Sequence, residues 1–211
     1  MKYFFSLVVL VISVPLFVKV EAAGLSPYDV IVNTSDRMFQ RLKIEKPLLD
    51  KEPGKIYELV DEIVIPRFDF VRMSKLVLGK NWRQATLEQR KDFTIAFRET
   101  LVRTYANSLL EYVGQGITYL PPRQLDSSED VTVQSEITRP GNSPIEIAYR
   151  LYLVNDDWLV FDVAIEGVSL VINYRSSYDQ EIRKGGLDKL IIKLAERNHK
   201  ARTKLAKANE E

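Results

Sequence analysis

Apolar residues change their spacing several times along this chain, and each change predicts a different element. After Met1 and Lys2, residues 3–18 carry no charge. Ser6, Ser13 and Pro15 interrupt that run, and it is shorter than the roughly 20 apolar residues of a membrane span. A positive start followed by a short apolar core predicts a secretory signal, with cleavage near Ala22. Between residues 27 and 44, Val30, Ile31, Thr34, Met38, Arg41 and Leu42 fall near helical spacing, and the charged stretch before Pro47 closes the segment. A second helix is expected over about 53–65, with Ile56, Leu59, Val60 and Ile63 on one face and Pro66 ending it. A short, very apolar helix follows from Phe68 and ends at Gly79.

The strongest local signal is Thr86-Leu87-Glu88-Gln89, the pattern of a capping box in which Thr and Gln satisfy each other's backbone amides. A long helix should start there. Phe93, Phe97, Leu101, Tyr105, Leu109 and Tyr112 give it an aromatic stripe, and Gly114 and Gly116 stop it. Beyond Gly116 the period shortens to two, which predicts strands at about 117–120, 131–138, 145–154 and 158–172. The fourth is long and carries Gly167, where a bulge would let a sheet curl. Ser176 or Ser177 is expected to cap a helix that Gly185-Gly186 breaks. A last helix then presents Leu187, Leu190, Ile191 and Leu194 and passes into a charged tail, 199–211, expected to fray. Helices, then antiparallel strands, then helices make an α+β domain.

Composition narrows the chemistry. The 211 residues contain no cysteine, so disulfides, thiolate metal sites and a lipoprotein anchor are excluded. Without residues 1–22 the mature chain of 189 residues carries 28 basic and 28 acidic side chains. That balance gives no electrostatic basis for nucleic-acid binding. The only histidine is His199, in the polar tail, so histidine-based catalysis and a His-rich metal site have no parts. No Gly-rich phosphate loop precedes a helix. Asp162 and Glu166 stand four apart on the long strand, as either an acid/base pair or two solvated strand carboxylates. The conspicuous remainder is apolar surface, which fills either an ordinary core or a cavity between a curled sheet and a long helix.

Several separated strings carry a resemblance. Val77-Leu78-Gly79-Lys80-Asn81-Trp82, Ala85-Thr86-Leu87-Glu88-Gln89-Arg90 and Ala96-Phe97-Arg98-Glu99-Thr100-Leu101 are followed by Ile165-Glu166-Gly167-Val168-Ser169-Leu170 and Arg183-Lys184-Gly185-Gly186-Leu187-Asp188-Lys189-Leu190. In that order they resemble the periplasmic phospholipid-binding proteins of the Mla pathway, the MlaC or toluene-tolerance Tgt2 family, over about residues 26–198. The resemblance implies an NTF2-like curved antiparallel sheet wrapped by helices, a small helical subdomain and a deep apolar pocket. It further implies a monomer in the periplasm with phospholipid as cargo and no cofactor, metal or catalytic residue. Its partners would be an inner-membrane ABC-type transporter and an outer-membrane lipoprotein complex associated with a porin.

On this reading the expected lipid-binding positions are Val71, Leu76 and Val77 of the short helix and Phe97, Leu101, Tyr105 and Tyr112 of the long one. The strands add Tyr149, Leu151, Val163, Ile165, Val168 and Leu170. The competing readings are a periplasmic chaperone or binding module for apolar polypeptides, and an acid/base enzyme built on the same fold around Asp162 and Glu166.

Overall fold

The computed structural model describes residues 24–123 and 130–208; the expected signal segment lies outside the described residues. Helix α1 (Pro27–Leu49) opens with a capping box between Ser26 and Asp29 and continues past Pro47. A proline in the last turn removes only one hydrogen bond, and Leu49 beyond it is buried. Helix α2 (Lys55–Ile63) passes through a 3-10 turn (Ile65–Arg67) into α3 (Phe70–Leu78) and α4 (Lys80–Gln84). Gly79 joins the last two at φ +54°, a backbone conformation that strains any residue with a Cβ. Helix α5 (Leu87–Glu111) has the predicted capping box: the Gln89 amide donates to Thr86 Oγ1 at 3.1 Å, and the Thr86 amide donates to Gln89 Oε1 at 2.9 Å.

Five strands follow: β1 (Ile117–Arg123), β2 (Asp130–Arg139), β3 (Asn142–Val154), β4 (Asp157–Ile165) and β5 (Val168–Ser169). They form one antiparallel sheet in sequence order. Its register shifts at Leu120/Arg123, Ile137/Arg139 and Arg150/Leu151. Such irregularities bend strands and deepen twist, and this open sheet is curved. The α+β architecture is as expected.

Two local expectations fail. The expected strand over 158–172 is instead a hairpin: Ile165 pairs with Val168, and Glu166 and Gly167, at φ +49° and +78°, form the two-residue turn between them. Positive φ at both central positions suits the strand twist better than a bulge does. The chain then becomes helical at Leu170, earlier than Ser176 or Ser177 would have it. Helix α6 (Leu170–Ala208) is capped by Ser169, whose Oγ accepts from the Ile172 amide at 3.1 Å. The break at Gly186 (φ +82°) falls where the glycine pair predicts it.

Helix α6 runs on to Ala208. Buried Asn198 anchors it. Its side-chain amide donates to the Ala96 carbonyl at 2.9 Å, and its oxygen accepts from Arg103 at 2.6 Å. Arg202 adds an ion pair to Glu99 at 3.3 Å.

The apolar interior has two parts. The main core packs α3, the first half of α5 and α6 against the sheet. Phe93 and Phe97 stack on each other and meet the edges of Tyr174 and Tyr178. A smaller core, built from the later part of α1, α2 and the later part of α5, contains Met38, Leu42, Ile56, Leu59, Ile63 and Ala106. This second cluster gives the expected small helical unit a physical basis.

Alongside β4, where Phe68 bridges Val160, Asp69 ties the entry of α3 to the sheet. Its amide donates to the Val160 carbonyl at 2.9 Å, and its carboxylate caps α3 by accepting from the Arg72 amide at 2.8 Å. The Tyr152 hydroxyl donates to the same carboxylate, and the Arg72 guanidinium lies over the Tyr152 and Phe161 rings at 3.7 and 4.1 Å.

Candidate functional site

Where the two cores meet they do not close. A cavity of about 230 Å³ remains between α1, the α2–α3 connection, α5 and the sheet. Its walls are overwhelmingly apolar. From the helices come Ile31, Met38, Val60, Phe70, Met73 and Leu101, and from the strands Ile137, Ile147, Val163 and Ile165. Among the described residues the polar lining is confined to Thr34, Ser35, Ser135, Tyr105, Tyr149 and Arg67.

Helix α5 shows how one sequence stripe takes two roles. Phe93 and Phe97 are fully enclosed by α6 and the sheet. From the next turn on, Leu101, Tyr105 and Leu109 line the cavity. Both halves satisfy the same helical spacing. Axial position alone separates core from wall.

Of the sequence-predicted positions, Leu101, Tyr105, Tyr149, Val163, Ile165 and Leu170 come together on the cavity. The others lie elsewhere. Val77, Phe97 and Leu151 are buried in the main core, and Leu76 packs partly buried against it. Tyr112 is the half-buried residue that ends α5. Val71 and Val168 are each 57% exposed. Val71 falls off the Met73–Val77 face that α3 turns inward, and Val168 sits just past the hairpin turn that replaces the expected continuous strand.

The structure adds walls that the patterning did not single out. Met38 and Phe39 of α1, Val60 and Val64 around α2, and Phe68 and Phe70 at the start of α3 all face the cavity. One signal for them is visible in hindsight. The run Ile63-Val64-Ile65-Pro66-Arg67-Phe68 holds more apolar residues than a nine-residue helix and a turn need for packing.

Among the described residues the site is electrostatically neutral apart from Arg67. Burial pushes the Tyr149 hydroxyl up to about 12, opposed in part by a hydrogen bond with Ser135. The Tyr105 hydroxyl is likewise pushed up to about 12, chiefly by burial and further by its pairing with Tyr174. In an unfolded chain both would ionise near 10. Below that pH both states are protonated and stability is insensitive to these groups. Above it the unfolded chain releases protons first, so stability should fall as pH rises from 10 through about 12. Urea midpoints followed across that window beside tyrosinate absorbance will show it, with a flatter decline in Tyr149→Phe.

Asp162 and Glu166 do not form a pair. Asp162 is 3% exposed. It accepts from the Ser169 hydroxyl at 2.6 Å and from the Val171 amide at 3.1 Å, both at the entrance to α6. Glu166 sits in the hairpin turn and pairs with Arg139 at 3.5 Å. Among the described residues no cluster of His, Asp or Glu could hold a metal, and no helix is long and apolar enough to cross a membrane.

The exposure of Val168 has a direct consequence. Val168→Glu places its charge in solvent, so folding stability should stay within about 0.5 kcal/mol of wild type. Lipid uptake should be unchanged too. Urea denaturation and a vesicle uptake assay check both.

Comparison with known proteins places this geometry. The family model described as MlaC protein matches residues 32–196. A toluene tolerance protein of Pseudomonas putida is 29% identical over 188 residues, covering 88% of this chain and 86% of the relative. The intermembrane phospholipid transport system binding protein MlaC of Haemophilus influenzae is 23% identical over 197 residues, covering 92% of each chain. Among solved structures, a phospholipid-binding protein from Ralstonia solanacearum, in complex with a phospholipid, superimposes with a TM-score of 0.76 at 30% identity. That match covers 86% of this chain and 99% of the neighbour. With matched helices, curved sheet and nearly full length, this chain belongs to the MlaC family.

Proposed function

We propose that this protein is a soluble phospholipid carrier that works in the periplasm after removal of residues 1–22, holding acyl chain in the cavity between its two cores. The observation that carries the reading is the cavity itself: an apolar space bounded by both cores, in a fold whose neighbour from Ralstonia solanacearum is in complex with a phospholipid. Burying a methylene is worth about 0.8 kcal/mol. One chain of roughly sixteen carbons therefore represents on the order of 12 kcal/mol of gross burial, which makes unassisted passage through water very slow. A carrier overcomes this by replacing the bilayer interior with apolar walls and few polar groups that demand partners. The six expected positions that face the cavity, together with Met38, Phe70 and Met73, are the proposed lipid contacts.

The cargo has two stations. The name of the Haemophilus influenzae relative, an intermembrane phospholipid transport system binding protein, supports transport between two membranes, and the stations proposed here are an inner-membrane ABC-type transporter and an outer-membrane lipoprotein complex associated with a porin. A shuttle of this kind needs neither cofactor nor catalysis, and Asp162 serves the proposed fold as a helix cap instead of an acid or base.

The test uses two vesicle populations, one carrying labelled phospholipid. The protein should withdraw label from donors into a soluble complex and deliver it to acceptors. Failure to withdraw label from any vesicle would overturn the reading, and displacement of bound lipid by an apolar peptide at comparable concentration would favour the polypeptide-binding alternative.

A further inference from the structure

Among the described residues Arg67 is the one charged side chain on the cavity wall. It belongs to the 3-10 turn joining α2 to α3 and is flanked by Pro66 and Phe68. Proline fixes its own backbone torsion. The neighbouring amides are anchored as well: Arg67 N–H donates to the Val64 carbonyl at 3.0 Å and Phe68 N–H to the Ile65 carbonyl at 3.1 Å. The arginine therefore leaves a well-fixed piece of backbone, half-buried.

Its side chain is unengaged. Among the described residues the guanidinium has no hydrogen bond, no ion pair and no ring contact, whereas Arg72, Arg90 and Arg150 all cover aromatic rings and Arg37, Arg41 and Arg98 all pair with carboxylates. Several other polar groups on the wall have neighbours of their own within the protein. Thr34 Oγ1 donates to the Val30 carbonyl at 2.6 Å, and the Tyr149 and Tyr105 hydroxyls are influenced by neighbouring Ser135 and Tyr174. A partly desolvated cation beside an apolar cavity, without a counter-charge, is costly unless something anionic arrives with the ligand.

We propose that Arg67 receives the phosphate of the cavity's lipid, and that it selects phosphate-bearing amphiphiles over neutral ones of the same chain length. This rests on the carrier reading and adds a headgroup contact to it. A guanidinium matches a phosphodiester with two parallel N–H donors, which an ammonium cannot reproduce as a fork. The apolar walls then supply affinity for any acyl chain, and Arg67 supplies the discrimination.

The experiment compares wild type, Arg67→Gln and Arg67→Lys for uptake from vesicles doped with labelled phosphatidylglycerol or labelled diacylglycerol of matched chains. Wild type should favour the phospholipid. Arg67→Gln should lose about tenfold in phospholipid affinity, leave diacylglycerol uptake and the urea midpoint unchanged, and so erase the preference; Arg67→Lys should recover part of it. If Arg67→Gln binds phospholipid as wild type does, or loses both ligands equally, the assignment of Arg67 is wrong while the carrier reading stands. If wild type takes up neither ligand, the carrier reading fails and takes this assignment with it.

Discussion

Ala106→Trp should abolish phospholipid uptake while leaving a folded protein. Ala106 lies on α5, is 2% exposed and borders the cavity. An indole there projects into the space proposed for acyl chain and brings no charge that would need a partner. Filling an existing void is gentler than overpacking a closed core, which costs about 1–3 kcal/mol, so the loss of stability should stay at or below that range. Uptake, by contrast, should fall to background. Ile192→Trp is the matched control, since Ile192 is 57% exposed and off the cavity; it should load lipid normally. Normal loading by Ala106→Trp would mean that the cargo sits elsewhere.

The largest expected effect on stability belongs to Asp162→Ala. That substitution strips the Val171 amide of its acceptor and leaves the Ser169 hydroxyl without its partner, in a buried location at the start of α6. An unsatisfied buried amide costs about 1–3 kcal/mol and the lost Ser169 hydroxyl hydrogen bond about 1 kcal/mol. Together these predict a loss of roughly 2–4 kcal/mol, read as a fall in the urea midpoint at constant slope. Asp162→Asn keeps one oxygen acceptor and should lie between. If Asp162→Asn folds as wild type and moves phospholipid between vesicles at the wild-type rate, no acid/base role for Asp162 is needed in the proposed transport.

These two residues also show what could be read from the chain and what could not. Asp162 reads as a strand carboxylate because the apolar run from Trp158 to Ile165 resumes at Val168, with only Glu166 and Gly167 between. Only the Ile165–Val168 pairing reveals that Glu166 and Gly167 turn the chain, which converts the end of a long strand into a helix entrance with Asp162 beneath it. A Gly in a strand pattern is consistent with a bulge or a turn, and local spacing does not separate them. The capping box at Thr86, the glycine break at Gly186 and the strand periodicity beyond Gly116 were legible because each rests on local geometry.

The cavity was legible only in part, for a physical reason. Leu101 and Phe97 belong to one stripe, and burial in a core or against a void selects the same side chains. Which of them faces the void depends on where two separately packed cores leave a gap, a property of the tertiary arrangement. The α1 and α2 walls went unmarked for the same reason. Met38 and Val60 had a helical stripe of their own to explain them, and nothing in that stripe says that a second cluster stops short of the first.

The most direct test of the carrier account is denaturing lipid extraction of the protein purified from the exported fraction, read by mass spectrometry beside the Ala106→Trp variant. The account predicts phospholipid in near-stoichiometric amount on wild type and background amounts on the variant. Wild-type protein that is consistently lipid-free, and that also takes up none when mixed with phospholipid vesicles, would contradict it.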